Sequence, residues 1–122
     1  MVRRSGCTEL IFNKFKKLIE LEVKIVLPGH GDPFLEFEKR ICELEKHHAE
    51  RCDEILNLVK NRPLTAYEIA SLMRWDVKEK WDDLPTFQKW LGVSEVLAHL
   101  IYLERQKKIK RMRRKDYYLW TA

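Results

Sequence analysis

The alternation of apolar and polar positions predicts a mainly helical chain that ends in a small pair of strands. Between Leu35 and Lys60, apolar side chains recur at steps of three and four residues, the spacing of one helix face. The members of this stripe are Phe37, Ile41, Leu44, His48, Cys52, Ile55 and Val59. Asn61-Arg62-Pro63 should end this first long helix.

Two further helices follow from capping and spacing. Thr65-Ala66-Tyr67-Glu68 has the T-x-x-E form of a capping box and predicts a short helix with Ile69, Ala70, Leu72 and Met73 inward. A third helix is predicted from about Thr86 to Gln106. Its inward side chains should be Val93, Val96, Leu97, Leu100 and Leu103.

The end of the chain reads as a hairpin. Residues 109–114 alternate imperfectly, Lys115-Asp116 forms a turn, and Tyr117–Trp120 is aromatic and strand-prone. A short strand at Arg62–Thr65 would complete a small sheet. Three helices followed by a hairpin with a basic tip is the order of a winged helix-turn-helix, so we predict this α+β fold for residues 35–122.

The N-terminal part has a different pattern. Residues 8–21 predict a short amphipathic helix with Thr8 as N-cap and with Leu10, Ile11, Phe15, Leu18 and Ile19 on one side. Val23–Leu27 reads as a buried strand stopped by Pro28-Gly29-His30-Gly31. Because nothing nearby supplies partner strands, residues 1–34 should belong to something larger. On its own, this piece should be loosely held or buried in a self-associated dimer.

Composition adds one strong feature, a basic block near the C-terminus. The net charge is +5, but the segment from Glu104 to Asp116 carries +6 and the rest of the chain −1. Its basic residues are Arg105, Lys107, Lys108, Lys110, Arg111, Arg113, Arg114 and Lys115. Such a block favours contact with a polyanion such as RNA or DNA, although a solvated, aggregation-resistant edge is an equal alternative. No apolar run is long enough to span a membrane, and three cysteines without a C-x-x-C motif fit reduced thiols in the cytoplasm.

Several side chains have two possible roles. His48 and Cys52 lie four residues apart, a spacing that metal sites use, but they also lie on the core stripe. The aromatic residues around the second connector could clamp it to the core or form a partner surface: Trp75, Trp81, Phe87 and Trp90. Tyr118 and Trp120 share a strand face that should cover the helices.

The third helix makes a poor reader of DNA sequence. Its outward positions should be Ser94, Glu95, Ala98, His99, Tyr102 and Arg105, a weak set for pairing with base edges. Sequence-specific recognition is therefore not expected, and sequence-independent phosphate contact through the basic block stays open.

Two passages resemble a known family. Residues 24–34, KIVLPGHGDPF, resemble the last metal-binding loop of the metallo-β-lactamase superfamily, and residues 35–122 resemble the winged-helix domain that follows this loop in one branch. The resemblance implies that 1–34 is the end of an αββα hydrolase domain and that His30 is a metal ligand in an intact parent protein. It also matches His47 and Arg51 to a structural pattern in the linker helix.

The departures from the family pattern are equally informative. The family's His-x-His-x-Asp-His motif is missing, and the four histidines stand at positions 30, 47, 48 and 99. A catalytic zinc needs about three protein ligands, so the resemblance implies zinc or another divalent metal only for the parent. We expect no catalytic residue, no cofactor and no enzymatic activity in this chain alone.

The leading hypothesis is a non-catalytic winged-helix C-terminal module of a metal-dependent hydrolase. It would position substrate, with nucleic acid one candidate, or brace the catalytic domain. A free-standing DNA-binding regulator is the alternative, and a purely structural role a third. The expected partners are the missing hydrolase domain or a second copy of the chain, with no membrane partner.

Overall fold

The computed structural model describes residues 14–122, which are mainly helical with a small antiparallel hairpin. The elements are α1 (Phe37–Asn61), α2 (Ala66–Leu72), a 3-10 turn (Trp81–Asp83), α3 (Thr86–Arg105), β1 (Lys110–Arg113) and β2 (Tyr118–Thr121). This order confirms the predicted sequence of three helices and a hairpin.

Helix α1 supplies one wall of the core. Its buried residues are Ile41, Cys52, Ile55 and Val59, all on the predicted stripe. Together with the half-buried Leu44 and His48, they follow one another at steps of three and four from residue 41 to residue 59, which keeps the apolar side of this 25-residue helix on the core.

Helix α2 begins with the predicted capping box. The Thr65 hydroxyl accepts the Glu68 N–H at 3.1 Å, and the Glu68 carboxylate accepts the Thr65 N–H at 3.1 Å. Ile69 and Ala70 are buried as predicted. Leu72 is half-exposed, contrary to prediction. Ile69 and Met73, four residues apart, lie on the side of this short helix that faces the core, and Leu72 lies beside that side.

Helix α3 packs on α1 and α2 through a stripe that differs from the prediction. Val96, Leu100 and Leu103 are buried as expected. His99 and Tyr102, predicted outward, are buried with 2% and 4% of their surface exposed, and Leu97, predicted inward, lies on the outside. The inward face of α3 runs through positions 96, 99, 100 and 103, which are three or four residues apart. Leu97 falls outside this face, whereas the ring of His99 falls within it, contrary to prediction.

The hairpin closes the core from the other side. Arg111 lies opposite Trp120 and Arg113 opposite Tyr118 in the antiparallel register. The predicted strand at residues 62–65 is reduced to one bridge, in which the Leu64 and Trp120 N–H groups each donate to the other's carbonyl, at 3.0 and 2.7 Å. Trp120 is buried as predicted, whereas Tyr118 is exposed, because the edge of this two-stranded sheet extends beyond the helices.

The N-terminal part departs most from expectation. Residues 14–19 are helical and Phe15 packs against the core, while Thr8, Leu10 and Ile11 lie outside the described residues. The predicted strand over residues 23–27 is wrong. Val26 alone bridges, to Phe34 across the Pro-Gly-His-Gly loop, and Leu27 is 75% exposed. An apolar run becomes a strand only where another strand pairs with it, and in residues 14–122 none does. None of the described helices is long and apolar enough to cross a bilayer.

Candidate functional site

The basic block forms the turn after α3 and the hairpin, and all eight of its side chains are exposed. Lys107 adopts a left-handed conformation, with φ of 61°. Its N–H donates to the Glu104 carbonyl at 2.9 Å, and the Lys108 N–H donates to the Leu103 carbonyl at 3.0 Å. This termination of the helix turns the chain directly into β1 and places the basic residues along one short, continuous path.

Arg111 differs from the other seven because it is bound to the helix. Its Nε and Nη2 donate to the two carboxylate oxygens of Glu104, both at 2.7 Å, and the guanidinium lies over the rings of Tyr118 and Trp120. The hydrogen bonds from Arg111 lower the pKa of the Glu104 carboxyl. Arg111 therefore fixes the hairpin to the last turn of α3 and is a poor candidate for phosphate contact.

The remaining seven basic side chains form no ion pair with any acid of the described part of the chain. They are Arg105, Lys107, Lys108, Lys110, Arg113, Arg114 and Lys115. Tyr117 and Tyr118, 53% and 43% exposed, stand beside them at the hairpin tip, where the Arg114 N–H donates to the Tyr117 carbonyl at 2.8 Å. Uncompensated cations next to open aromatic rings are able to hold a polyanion by charge and by stacking.

The predicted base-reading face of α3 is weaker still in the structure. His99 and Tyr102 are buried and unable to reach a base. Glu95 faces Arg51, with its carboxylate 3.8 Å from Arg51 Nε. The geometry therefore offers phosphate contact by the hairpin and little for sequence readout by α3.

His30 lies exposed in its loop, next to Gly31, whose φ of 96° gives the loop its tight turn. No group of three or more His, Cys, Asp or Glu side chains able to hold a metal occurs among residues 14–122. A divalent metal therefore does not fit the described residues by themselves, and the ligand role of His30 stays a prediction for a longer parent.

His48 contacts another histidine instead of forming a metal site with Cys52. Its Nδ1 lies 3.1 Å from His99 Nε2, across the α1–α3 interface, and His99 Nδ1 lies 2.8 Å from the Glu95 carbonyl oxygen. Burial is the main cause that lowers the pKa of both histidines. This pair was not predicted, although the spacing of His99 from Val96, Leu100 and Leu103 was a signal for it.

The four aromatic residues in and after the connector separate into a packed pair and an exposed pair. The Trp75 indole N–H donates to the Ala70 carbonyl at 2.7 Å, the Arg51 guanidinium lies 4.6 Å from the centre of the Trp75 ring, and Trp81 packs against the core. Phe87 and Trp90 stack on each other with ring centres 5.9 Å apart but remain 66% and 61% exposed. Trp75 and Trp81 thus clamp the connector. Arg51 contacts this connector, which follows α1, and not the segment before the helix, to which the resemblance was expected to tie His47 and Arg51.

Comparisons with known proteins agree with the resemblance seen in the sequence. A probable metallo-hydrolase of Bacillus subtilis, YqjP, is 27% identical over 94 residues, which are 77% of this chain and 27% of that protein. A β-lactamase domain protein from Burkholderia ambifaria superimposes on 93% of the chain with a TM-score of 0.81 and 25% identity. A metallo-β-lactamase family protein from Thermus thermophilus superimposes on 97% with a TM-score of 0.71 and 22% identity, which supports the fold alone. No family model matches the chain.

These relatives define the class of protein: the chain corresponds to the C-terminal part of a metallo-β-lactamase superfamily protein. It spans only about a quarter to a third of their length, with 32% of the Burkholderia chain and 34% of the Thermus chain matched.

Proposed function

We propose that the chain is a non-catalytic module of a metallo-β-lactamase-like, metal-dependent hydrolase, with residues 35–122 folded as a winged helix. Its hairpin would bind an anionic substrate, with nucleic acid as the leading class, and present it to the catalytic domain. The order of the three helices, the hairpin and the Leu64–Trp120 bridge support the winged-helix assignment.

One observation carries the substrate-binding part of the proposal. Seven exposed basic side chains lie on and beside one hairpin, while the acid nearest to them along α3, Glu104, is already bound by Arg111. If the charges served only to keep this edge of the sheet soluble, acidic side chains would serve as well as basic ones. The observed imbalance is what phosphate contact requires.

Residues 1–34 would then be the end of the hydrolase domain. There His30 would add one ligand to a zinc or other divalent ion whose remaining ligands come from the parent. This chain's own contribution is the loop that places the imidazole, held by the Val26–Phe34 bridge.

The test is fluorescence anisotropy with labelled single-stranded RNA and duplex DNA at about 50 and about 200 mM salt. We expect weak, sequence-independent binding whose affinity falls by orders of magnitude as salt rises. The variant Arg113→Gln/Arg114→Gln/Lys115→Gln should lose about tenfold or more in affinity and show a shallower salt dependence.

The matched control removes three exposed positive charges outside the hairpin, as Lys46→Gln/Lys60→Gln/Lys78→Gln. Equal losses in both variants would reduce the effect to net charge alone and contradict a hairpin site. Absence of salt-sensitive binding would leave the structural, bracing role. A preference of about 10³-fold for one duplex would favour the free-standing regulator instead.

A further inference from the structure

Helix α3 is apolar on two sides. Val96, Leu100 and Leu103 fill the core, and the opposite side carries Phe87, Trp90, Leu91 and Leu97, all exposed. A helix that is apolar nearly all round is normally covered on every side. In residues 14–122, nothing covers the outer side.

We call the exposed apolar side chains on and beside this side of the helix the α3 outer patch: Val77, Phe87, Trp90, Leu91 and Leu97. Phe87, Trp90 and Leu91 are neighbours on successive turns, and Leu97 lies two turns beyond Trp90. Leu91 and Val77 line a shared groove of about 310 Å³, whose floor includes Trp75 and Trp81.

Charge argues against a nucleic acid as the occupant. None of the five patch residues is charged, and the lysine on this part of the helix, Lys89, donates to the Asp82 carbonyl at 3.3 Å. Lys78 and Lys80 follow Val77, but Asp76 and Glu79 alternate with them and cancel their charge. Phosphate contact needs a concentration of cations, and the dense group of basic side chains lies on the hairpin after the far end of α3.

Area argues against a second copy. Aromatic side chains bury about 150–250 Å² each, so at these exposures the patch offers roughly 400 Å². Two copies meeting on it would bury about 800 Å², below the roughly 1,200 Å² of stable protein complexes. A domain of the same polypeptide can dock stably with a smaller buried area, because the connecting chain raises its effective concentration to the millimolar range.

We propose that the α3 outer patch is the surface on which the hydrolase portion of the longer parent docks. The proposal rests on the function proposed above, because the matched relatives carry about two-thirds or more of their length outside the segment that this chain matches. Phe87 and Trp90 are the anchors, since large rings stacked in advance lose little freedom on docking.

The experiment compares the free chain with a chimera in which the chain replaces the matching segment of the Bacillus metallo-hydrolase. Hydroxyl-radical footprinting reports the exposure of Phe87 and Trp90 in each. If docking buries both rings to below about a tenth exposed, their oxidation should be roughly sixfold slower in the chimera. A second chimera, built on the Burkholderia protein, serves if the first does not fold.

Two single substitutions separate docking from folding. Trp90→Lys should leave the melting temperature of the free chain unchanged but open the junction of the chimera to protease. Leu72→Lys is the matched control, because Leu72 is 51% exposed on α2, and it should affect neither. Equal protease sensitivity of the two chimera variants would contradict the proposal.

Three other results would also overturn it: equal oxidation of Trp90 in the free chain and a folded chimera, a dimer of the free chain that Trp90→Lys dissociates, or protection of Phe87 and Trp90 by bound RNA. Oligonucleotide binding by the free chain is measured separately. The two experiments are independent, so either the docking of α3 or the polyanion binding of the hairpin could be refuted without affecting the other.

Discussion

The contact between His48 and His99 predicts that the fold loses stability in mild acid. His99 Nδ1 lies 2.8 Å from the Glu95 carbonyl oxygen, which is only an acceptor, so Nδ1 carries the proton and Nε2 is left to accept from His48 Nδ1 at 3.1 Å. This arrangement needs a neutral His99, because Nε2 must accept, and burial disfavours a charge on either ring. A proton on His99 Nε2 would set two N–H donors against each other within the α1–α3 interface.

The surrounding charges do not reverse this preference. The Glu95 carboxylate raises the pKa of both histidines, and His47 lowers it. Arg51 also lowers the pKa of His99. Burial is the largest cause and lowers both pKa values below the ordinary value of 6.5. The unfolded chain therefore takes up protons near pH 6.5 and the folded chain only at lower pH. The stabilisation is complete above about pH 6.5 and is lost as the pH falls through the folded-state values.

Linkage sets the size of the effect. One histidine that is protonated only in the unfolded state costs at most about 1.4 kcal/mol per pH unit. With two histidines, we expect the free energy of unfolding to fall by about 1–2 kcal/mol between about pH 6.5 and 5.5, because each unfolded histidine is already half protonated at pH 6.5. Urea unfolding followed by circular dichroism at constant ionic strength measures it, and stopping above about pH 5 keeps most carboxyl groups ionised.

The variant His48→Gln/His99→Gln isolates the pair. It should be about 1–3 kcal/mol less stable at pH 7.5, because the buried partners are left imperfectly paired, and its stability should be nearly constant down to pH 5.5. His30→Gln, in the exposed loop, is the control and should retain the wild-type slope. A flat wild-type profile, or an unchanged slope in the double variant, would refute the reasoning.

Three further substitutions test individual contacts by urea unfolding. Glu104→Gln should lower the free energy of unfolding by about 1 kcal/mol, because it removes a bidentate but partly exposed ion pair with Arg111. The difference in stability from the wild type should disappear as the pH falls below about 4.5 and Glu104 is protonated. No change in stability would mean that the hairpin is held by packing alone. Gly92→Ala should be nearly neutral, because the gain in helix propensity of about 1 kcal/mol offsets the cost of placing a Cβ only 3.2 Å from the Trp81 ring. Gly92→Leu should cost about 1–3 kcal/mol, because the larger side chain does not fit there. Equal stability of the two variants would argue against tight packing of Trp81 on α3. Thr65→Ala should cost about 1 kcal/mol by breaking the capping box, and a silent substitution would contradict that role.

The parts of the fold that the sequence predicted well are those set by local spacing. The stripe of α1 and the capping box of α2 depend on residues three or four positions apart, and the chain determines them without reference to the rest of the molecule. The hairpin was predictable for the same reason, since Lys115-Asp116 separates two strand-prone runs.

The errors arose where a distant partner decides the outcome. Val23–Leu27 has the composition of a strand but has no strand beside it in the described residues, so its apolar side chains are largely exposed. His99 was assigned to the outside of α3, but the Glu95 carbonyl and the facing imidazole of His48 on α1 satisfy both ring nitrogens and allow its burial. The pairing of Arg111 with Glu104 was not predicted for a similar reason, since it forms only when the hairpin folds back on the last turn of α3.

Taken together, the two proposals give α3 a mechanical role. Trp90 lies fourteen residues before Glu104, so the docking anchor and the carboxylate that fixes the hairpin are about 20 Å apart along one straight helix. The hydrolase portion would hold the first half of α3, and Glu104 would hold the hairpin through Arg111. Because a packed helix transmits position with little flexing, the basic side chains would stand at a fixed distance from the docked surface. Breaking the Glu104–Arg111 pair should then weaken the positioning of a bound polyanion without removing any of the seven charges that attract it.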